Sequence, residues 1–176
     1  VMHANNETGV LQPVAEIGAL ARERGIRFHI DGVQAAGKVP VDVQAIGCDY
    51  YSLSAHKLYA PKGTGALYVK SGAPLRAQLL GGHHERDRRA GTENVPNVAA
   101  FGAAARLART QPDNERLAAL RNHLEQGVLT RVPDTWINGA GADRLPNTTS
   151  IGFSGVEGEA MVISLDLRGF AISSGS

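Results

Sequence analysis

Two residues in this sequence have the type and surroundings for carbonyl chemistry. Lys57 closes the run Ser54-Ala-His-Lys57 behind a strand-like stretch, and Asp31 closes the run Arg27-Phe-His-Ile-Asp31. A lysine that condenses with a carbonyl must be held at a fixed point and kept partly neutral, because only the free amine attacks. The following Leu-Tyr-Ala-Pro-Lys-Gly63 is a rigid turn that suits this need. On local sequence alone, a surface lysine at a strand end is the simpler reading, and Asp31 reads equally as a turn aspartate beside Gly32. Together they suggest more. A carboxylate at a strand end needs a cation or a donor, and a protonated pyridine nitrogen supplies both. An acid that keeps such a ring protonated makes it an electron sink, while a lysine supplies the imine.

Other reactive side chains carry weaker signals. Cys48, the single cysteine, lies in Ile46-Gly-Cys-Asp49 before a strand and reads as a small core residue. His83-His84-Glu85 is adjacent in a loop without defined ligand geometry, and no second ligand set accompanies it, so no metal is expected. Arg86, Arg88 and Arg89 read as a solvated loop, or as a face for acidic partners. Trp136 reads as packing.

These residues need a scaffold. Short apolar runs alternate with helical patterns over the first two-thirds of the chain, the signature of an α/β fold with a mostly parallel sheet. Pro13 opens a helix with Val14, Ile17, Leu20 and Ala21 on one face, and Gly25 stops it. Residues 26–30, 50–54 and 65–69 read as strands, with a helical turn at 43–46. In open α/β sheets ligands collect beyond the carboxyl ends of strands, which is where Asp31 and Lys57 fall. A glycine-rich basic loop at 81–91 precedes a helix that Thr92 or Asn94 would cap. The composition turns polar around Gln111-Pro112-Asp113. A helix with Leu117, Leu120, Leu124 and Val128 at core spacing follows, then strands at 136–138 and 149–153, a helix at 159–167 and a last strand at Ala171. This order implies a second, α+β domain, so the expected division is 1–111 and 112–176.

The bulk numbers narrow the partners. The 176 residues include 18 basic and 17 acidic ones, a net charge of +1, which gives no global attraction to nucleic acid or anionic lipid. No apolar run approaches the roughly 20 residues that span a bilayer. One thiol fits a reducing compartment, so the cytoplasm is the default location. The chain starts at Val1 without a signal-peptide pattern and stops behind a strand-like run, which reads as an internal piece of a longer protein.

Longer runs carry a family resemblance. His29-Ile-Asp-Gly-Val-Gln-Ala-Ala-Gly-Lys-Val-Pro-Val-Asp42 and Ser52-Leu-Ser-Ala-His-Lys-Leu-Tyr-Ala-Pro-Lys-Gly63 resemble the cofactor-binding segments of class V, aminotransferase-like enzymes that use pyridoxal 5'-phosphate (PLP). Met2-His-Ala-Asn-Asn-Glu-Thr-Gly9, Gly81-Gly-His-His-Glu-Arg86 with Arg89-Ala-Gly-Thr92, and Ser173-Ser-Gly-Ser176 narrow the resemblance to the cysteine desulfurases. It implies the type I PLP-dependent transferase fold, with the later half of the large domain and the start of the small one.

By the same resemblance Lys57 forms the imine with the cofactor, Asp31 pairs with its pyridinium nitrogen and Gln34 donates to its phenolic oxygen. Ser54 and His56 hold the phosphate, and Asn6 reaches the cofactor oxygen and the substrate carboxylate. Thr92 reaches the phosphate bound by the other subunit of a homodimer. The implied reaction converts L-cysteine to L-alanine and passes sulfur to an enzyme cysteine beyond Ser176, for iron-sulfur cluster assembly or thiolation through acceptor or scaffold proteins. The isolated piece would be a poor catalyst. Selenocysteine lyase or aminotransferase activity would use the same Lys57, Asp31 and His56, and a non-catalytic subunit that only dimerises or binds partners would keep the fold without the chemistry.

Overall fold

The computed structural model describes residues 1–110 and 113–175. The domain boundary expected at Gln111 and Pro112, and the terminal Ser176, fall outside the described residues. The chain forms two compact units, one of Val1–Ala4 with Gln12–Pro112 and one of Asn5–Leu11 with Asp113–Ser176.

In the first unit α1 spans Val14–Glu23, with Glu16 in its first turn and Arg22 in its last, charges that complement the helix dipole. Its buried face is Val14, Gly18 and Ala21. Leu20, expected on that face, is exposed, because the helix meets its neighbour at Gly18, where an added Cβ would fall 2.1 Å from the Ile46 carbonyl oxygen. That neighbour is α2, Val43–Ile46, which Asp42 caps by accepting from the Gln44 and Ala45 amides.

The sheet consists of β1 (His29–Asp31), β2 (Tyr50–Ser54) and β3 (Gly65–Val69) in that order. β1 and β2 are parallel, with Asp31 beside Ser52; β3 is antiparallel to β2, so the sheet is mixed. β1 begins later than the expected residue 26. The Asp49 carboxylate takes the Phe28 amide at 2.9 Å and Arg27 Nη1 at 3.0 Å, occupying those residues before the ladder starts. The Phe28 amide, then Arg27, holds the Asp49 carboxyl below the usual carboxylate range despite its burial. Val14, Ala21, Phe28, Ile30, Ile46, Cys48 and Tyr51 form the core. Each large apolar side chain buried there contributes about 1.5–3 kcal/mol. α3 (Val95–Thr110) follows the basic loop, and the Asn94 side chain accepts from the Asn97 amide at its start, leaving Thr92 outside the cap.

The second unit contains α4 (Asn114–Arg131), the antiparallel pair β4 (Thr135–Ile137) and β5 (Ile151–Phe153), and α5 (Gly158–Asp166). The stripe expected to bury α4 does so only in part: Leu117 and Val128 are half-buried, Leu120 and Leu124 are exposed, and the fully buried residue of α4 is Glu125. Arg144 grips both Glu125 carboxylate oxygens at 2.7 and 2.9 Å, and the Thr149 hydroxyl donates to the same carboxylate. A buried charge demands such partners. The same stretch is tied to residues 9–11, through Leu11 N–H to the Asp143 carbonyl and Leu145 N–H to the Gly9 carbonyl, each 2.8 Å. Trp136, expected as packing, is half-exposed with its ring over Gly152, and its N–H donates to Asn138. No strand forms at Ala171, where the chain instead turns off α5 through the Phe170 amide bound to the Leu165 carbonyl.

Candidate active site

Strand alternation sorts the side chains of the first unit. Ile30 and Tyr51 enter the core, so their neighbours His29, Asp31 and Ser52 face the other way, exposed or half-buried. There the His29 Nε2 and Ser52 hydroxyl share a 2.7 Å hydrogen bond. Asp31 stands at the carboxyl end of β1, and its Oδ1 accepts the Val33 amide at 3.0 Å. That contact turns the carboxylate toward the loop after the strand. Its backbone is held on one side by Val1 and His3, at 2.9 and 2.8 Å, while Gly32 N–H donates to the Ser52 carbonyl at 3.0 Å on the other.

Lys57 lies in a 3-10 turn, Ala55–Leu58, that starts where β2 ends. The turn is anchored at both shoulders. Ala55 is fully buried and its amide donates to the Thr64 carbonyl at 3.0 Å. Leu58 packs on Gly37, where a Cβ would come within 2.4 Å of it. Tyr59 closes the turn in a left-handed conformation at φ 64°, uncommon outside glycine. The backbone that carries the lysine is therefore fixed by its neighbours. Just before it, the Ser54 hydroxyl and His56 Nδ1 are 2.8 Å apart.

Gln34 follows Asp31 by one turn, and Lys38 Nζ donates to both its backbone carbonyl and its side-chain oxygen at 3.0 Å. With the amide oxygen occupied, the NH2 end is the part left to meet a ligand. Burial, and then the nearby Lys57 charge, lowers the Lys38 pKa. The structure thus gathers Asp31, Gln34, Ser54, His56 and Lys57 in one unit, on and just after the carboxyl ends of two adjacent parallel strands. Asn6 belongs to the other unit, at the tip of a turn in which the Asn5 side chain accepts from the Glu7 and Thr8 amides. Thr92 is exposed in the loop before α3. His83 pairs with Asp87, and no group of three metal-ligating side chains occurs among the described residues.

Sequence reasoning missed Lys38 and the His29–Ser52 pair. Gln34 and Lys38 meet within a turn and not on a helix, so their spacing gave no helical signal. The second pair needed the register of β1 against β2, which no local pattern supplies.

The chain belongs to the aminotransferase class-V family, whose pattern it matches over residues 1–176. Among its relatives, cysteine desulfurase 2 of Trichormus variabilis is 53% identical over 176 residues, covering 99% of this chain and 44% of that protein. The crystal structure of a NifS-like protein from Rickettsia africae superposes with a TM-score of 0.95 at 36% identity, covering 99% of this chain and 49% of the other. A structure described as SspA in complex with cysteine aligns with a TM-score of 0.76 at 30% identity, over 99% of this chain and 48% of that one. The chain therefore spans about half the length of the relatives it matches.

Proposed function

We propose that these residues form the cofactor-holding part of a PLP-dependent cysteine desulfurase, which converts L-cysteine to L-alanine and moves its sulfur to a thiolate. One observation carries this: a carboxylate and a fixed lysine follow the ends of adjacent parallel strands, with a Ser-His pair between them in sequence. The donor set fits the cofactor. Asp31 suits a pyridinium nitrogen, Lys57 an aldehyde, Ser54 and His56 a phosphate, and the Gln34 NH2 a phenolic oxygen. When bound, PLP supplies an electron sink for the bond-breaking at the substrate α-carbon.

The chain's residues do the rest. Lys57 would hold the cofactor through its aldehyde, and its free amine would move the proton at the cysteine α-carbon. Asp31 keeps the ring nitrogen protonated. Asn6 orients the substrate carboxylate, and Thr92 serves the phosphate of a partner subunit in a homodimer. The sulfur leaves as a formal sulfur(0) atom transferred to an attacking thiolate, giving a persulfide and alanine. Cys48 is not that thiolate. It is 1% exposed and burial pushes its pKa up, so it is neither reachable nor ionised. The acceptor cysteine is placed outside these residues. Acidic sulfur-acceptor or iron-sulfur scaffold proteins are the proposed partners, and the cytoplasm the proposed location. The similarity to desulfurases and to a protein seen with cysteine supports the substrate.

The test is spectroscopic and chemical. Purified protein reconstituted with PLP should absorb in the visible range, release alanine from cysteine in the full enzyme, and lose both with Lys57→Ala. A colourless wild-type protein would remove the enzymatic reading and leave a scaffold.

A further inference from the structure

The strand end that carries Asp31 is bridged from behind. On one flank of β1, residues Val1–His3 bind the Asp31 backbone in both directions; on the other, β2 binds Gly32. The side chains of these two flanks meet. His3 Nδ1 and the Tyr51 hydroxyl share a 2.9 Å hydrogen bond, with the rings edge to face at 6.1 Å. The contact lies on the core side of the sheet, since His3 is 8% and Tyr51 1% exposed. It passes over Gly32, the residue next to Asp31, where a Cβ would fall 1.8 Å from the Tyr51 ring. Only glycine allows the two rings to join across the strand at that point.

Burial lowers the His3 pKa and raises that of Tyr51, so both are neutral near pH 7. With both groups neutral, the pair is joined by one hydrogen bond whose direction is set by the His3 tautomer. The bond ties one neighbour of β1 to the other, so β1 cannot shift or splay without breaking it. The sheet's exposed side then receives a carboxylate whose backbone is fixed on three sides: by residues 1–3, by β2, and from beneath.

We propose that His3 and Tyr51 are positioning residues, a buried clasp across β1 that sets the Asp31 carboxylate for the cofactor ring nitrogen. This rests on the reading of Asp31 given above. The dyad is buried on the core face of the sheet, so its effect must appear through Asp31.

Tyr51→Phe deletes the hydroxyl and keeps the ring. His3→Leu breaks the same bond from the other end, and His3→Asn restores a hydrogen-bonding amide near the position of Nδ1. In the apoprotein, hydrogen exchange at the His3 and Asp31 amides should accelerate roughly three- to tenfold in Tyr51→Phe and His3→Leu, with amides of α3 unchanged. In the holoenzyme the same two variants should raise the PLP dissociation constant by a similar factor and shift its visible absorbance maximum. His3→Asn should return both toward wild type. Unchanged exchange in both variants would overturn the clasp. Faster exchange with unchanged PLP affinity and spectrum would overturn its positioning role, provided Asp31→Ala weakens PLP. If Asp31→Ala also leaves PLP binding intact, the cofactor reading fails first and takes the clasp's function with it.

Discussion

At the residue scale, charge is where this chain commits most. Glu125 and Arg144 are each about 10% exposed at the side chain, and their bidentate contact is reinforced by Thr149. Glu125→Ala should leave Arg144 buried without a partner and destabilise the protein by about 3 kcal/mol in urea denaturation. The sign of its pH dependence follows. Arg144 first, then Thr149, holds the Glu125 carboxyl below its ordinary range, against burial. A lowered folded-state pKa gives stability that is complete above the unfolded value, about 4.3, and lost as pH falls through the folded one. The gap between wild type and Glu125→Ala should therefore narrow below about pH 4; a gap independent of acid would show that the pair carries no such linkage. None of this was readable beforehand, because the partners lie 19 residues apart in sequence. Lys57 and Asp31 were readable, since each sits in a run whose turn residues announce a strand end.

Among the elements, legibility followed how much of each boundary is local. β2 and β3 match the expected 50–54 and 65–69, being short apolar runs closed by Gly, Pro and Ser. β1 was misjudged because its start is decided by Asp49, which engages residues 27 and 28 from beyond the next helix. The α4 stripe was misjudged because helical spacing shows which residues share a face, not which face is covered. α1 shows the reverse error, since the contact runs through Gly18 and not Leu20. Gly18→Ala tests that contact. An exposed helical glycine gains about 1 kcal/mol on becoming alanine. Here the new methyl meets the Ile46 carbonyl, and overpacking of roughly 1–3 kcal/mol outweighs the gain. Urea denaturation should show net destabilisation; a more stable variant would mean that α1 and α2 are free to separate.

For the molecule as a whole, the first unit holds Asp31, Gln34, Ser54, His56 and Lys57 together with the single thiol. Composition and alternating pattern were enough for the α/β class, and the family match agrees with that class. They were not enough for sheet direction, since β3 returns antiparallel after the lysine turn. Cys48 sits within the core cluster with Ile30 and Tyr51. A thiol reagent can reach it only when that cluster parts, so the rate of its alkylation under native conditions becomes a clock for breathing of the core beneath residues 31 and 57. Slower labelling once a pyridoxal ligand is present would report, without any assay of turnover, how much of the interior the ligand stiffens.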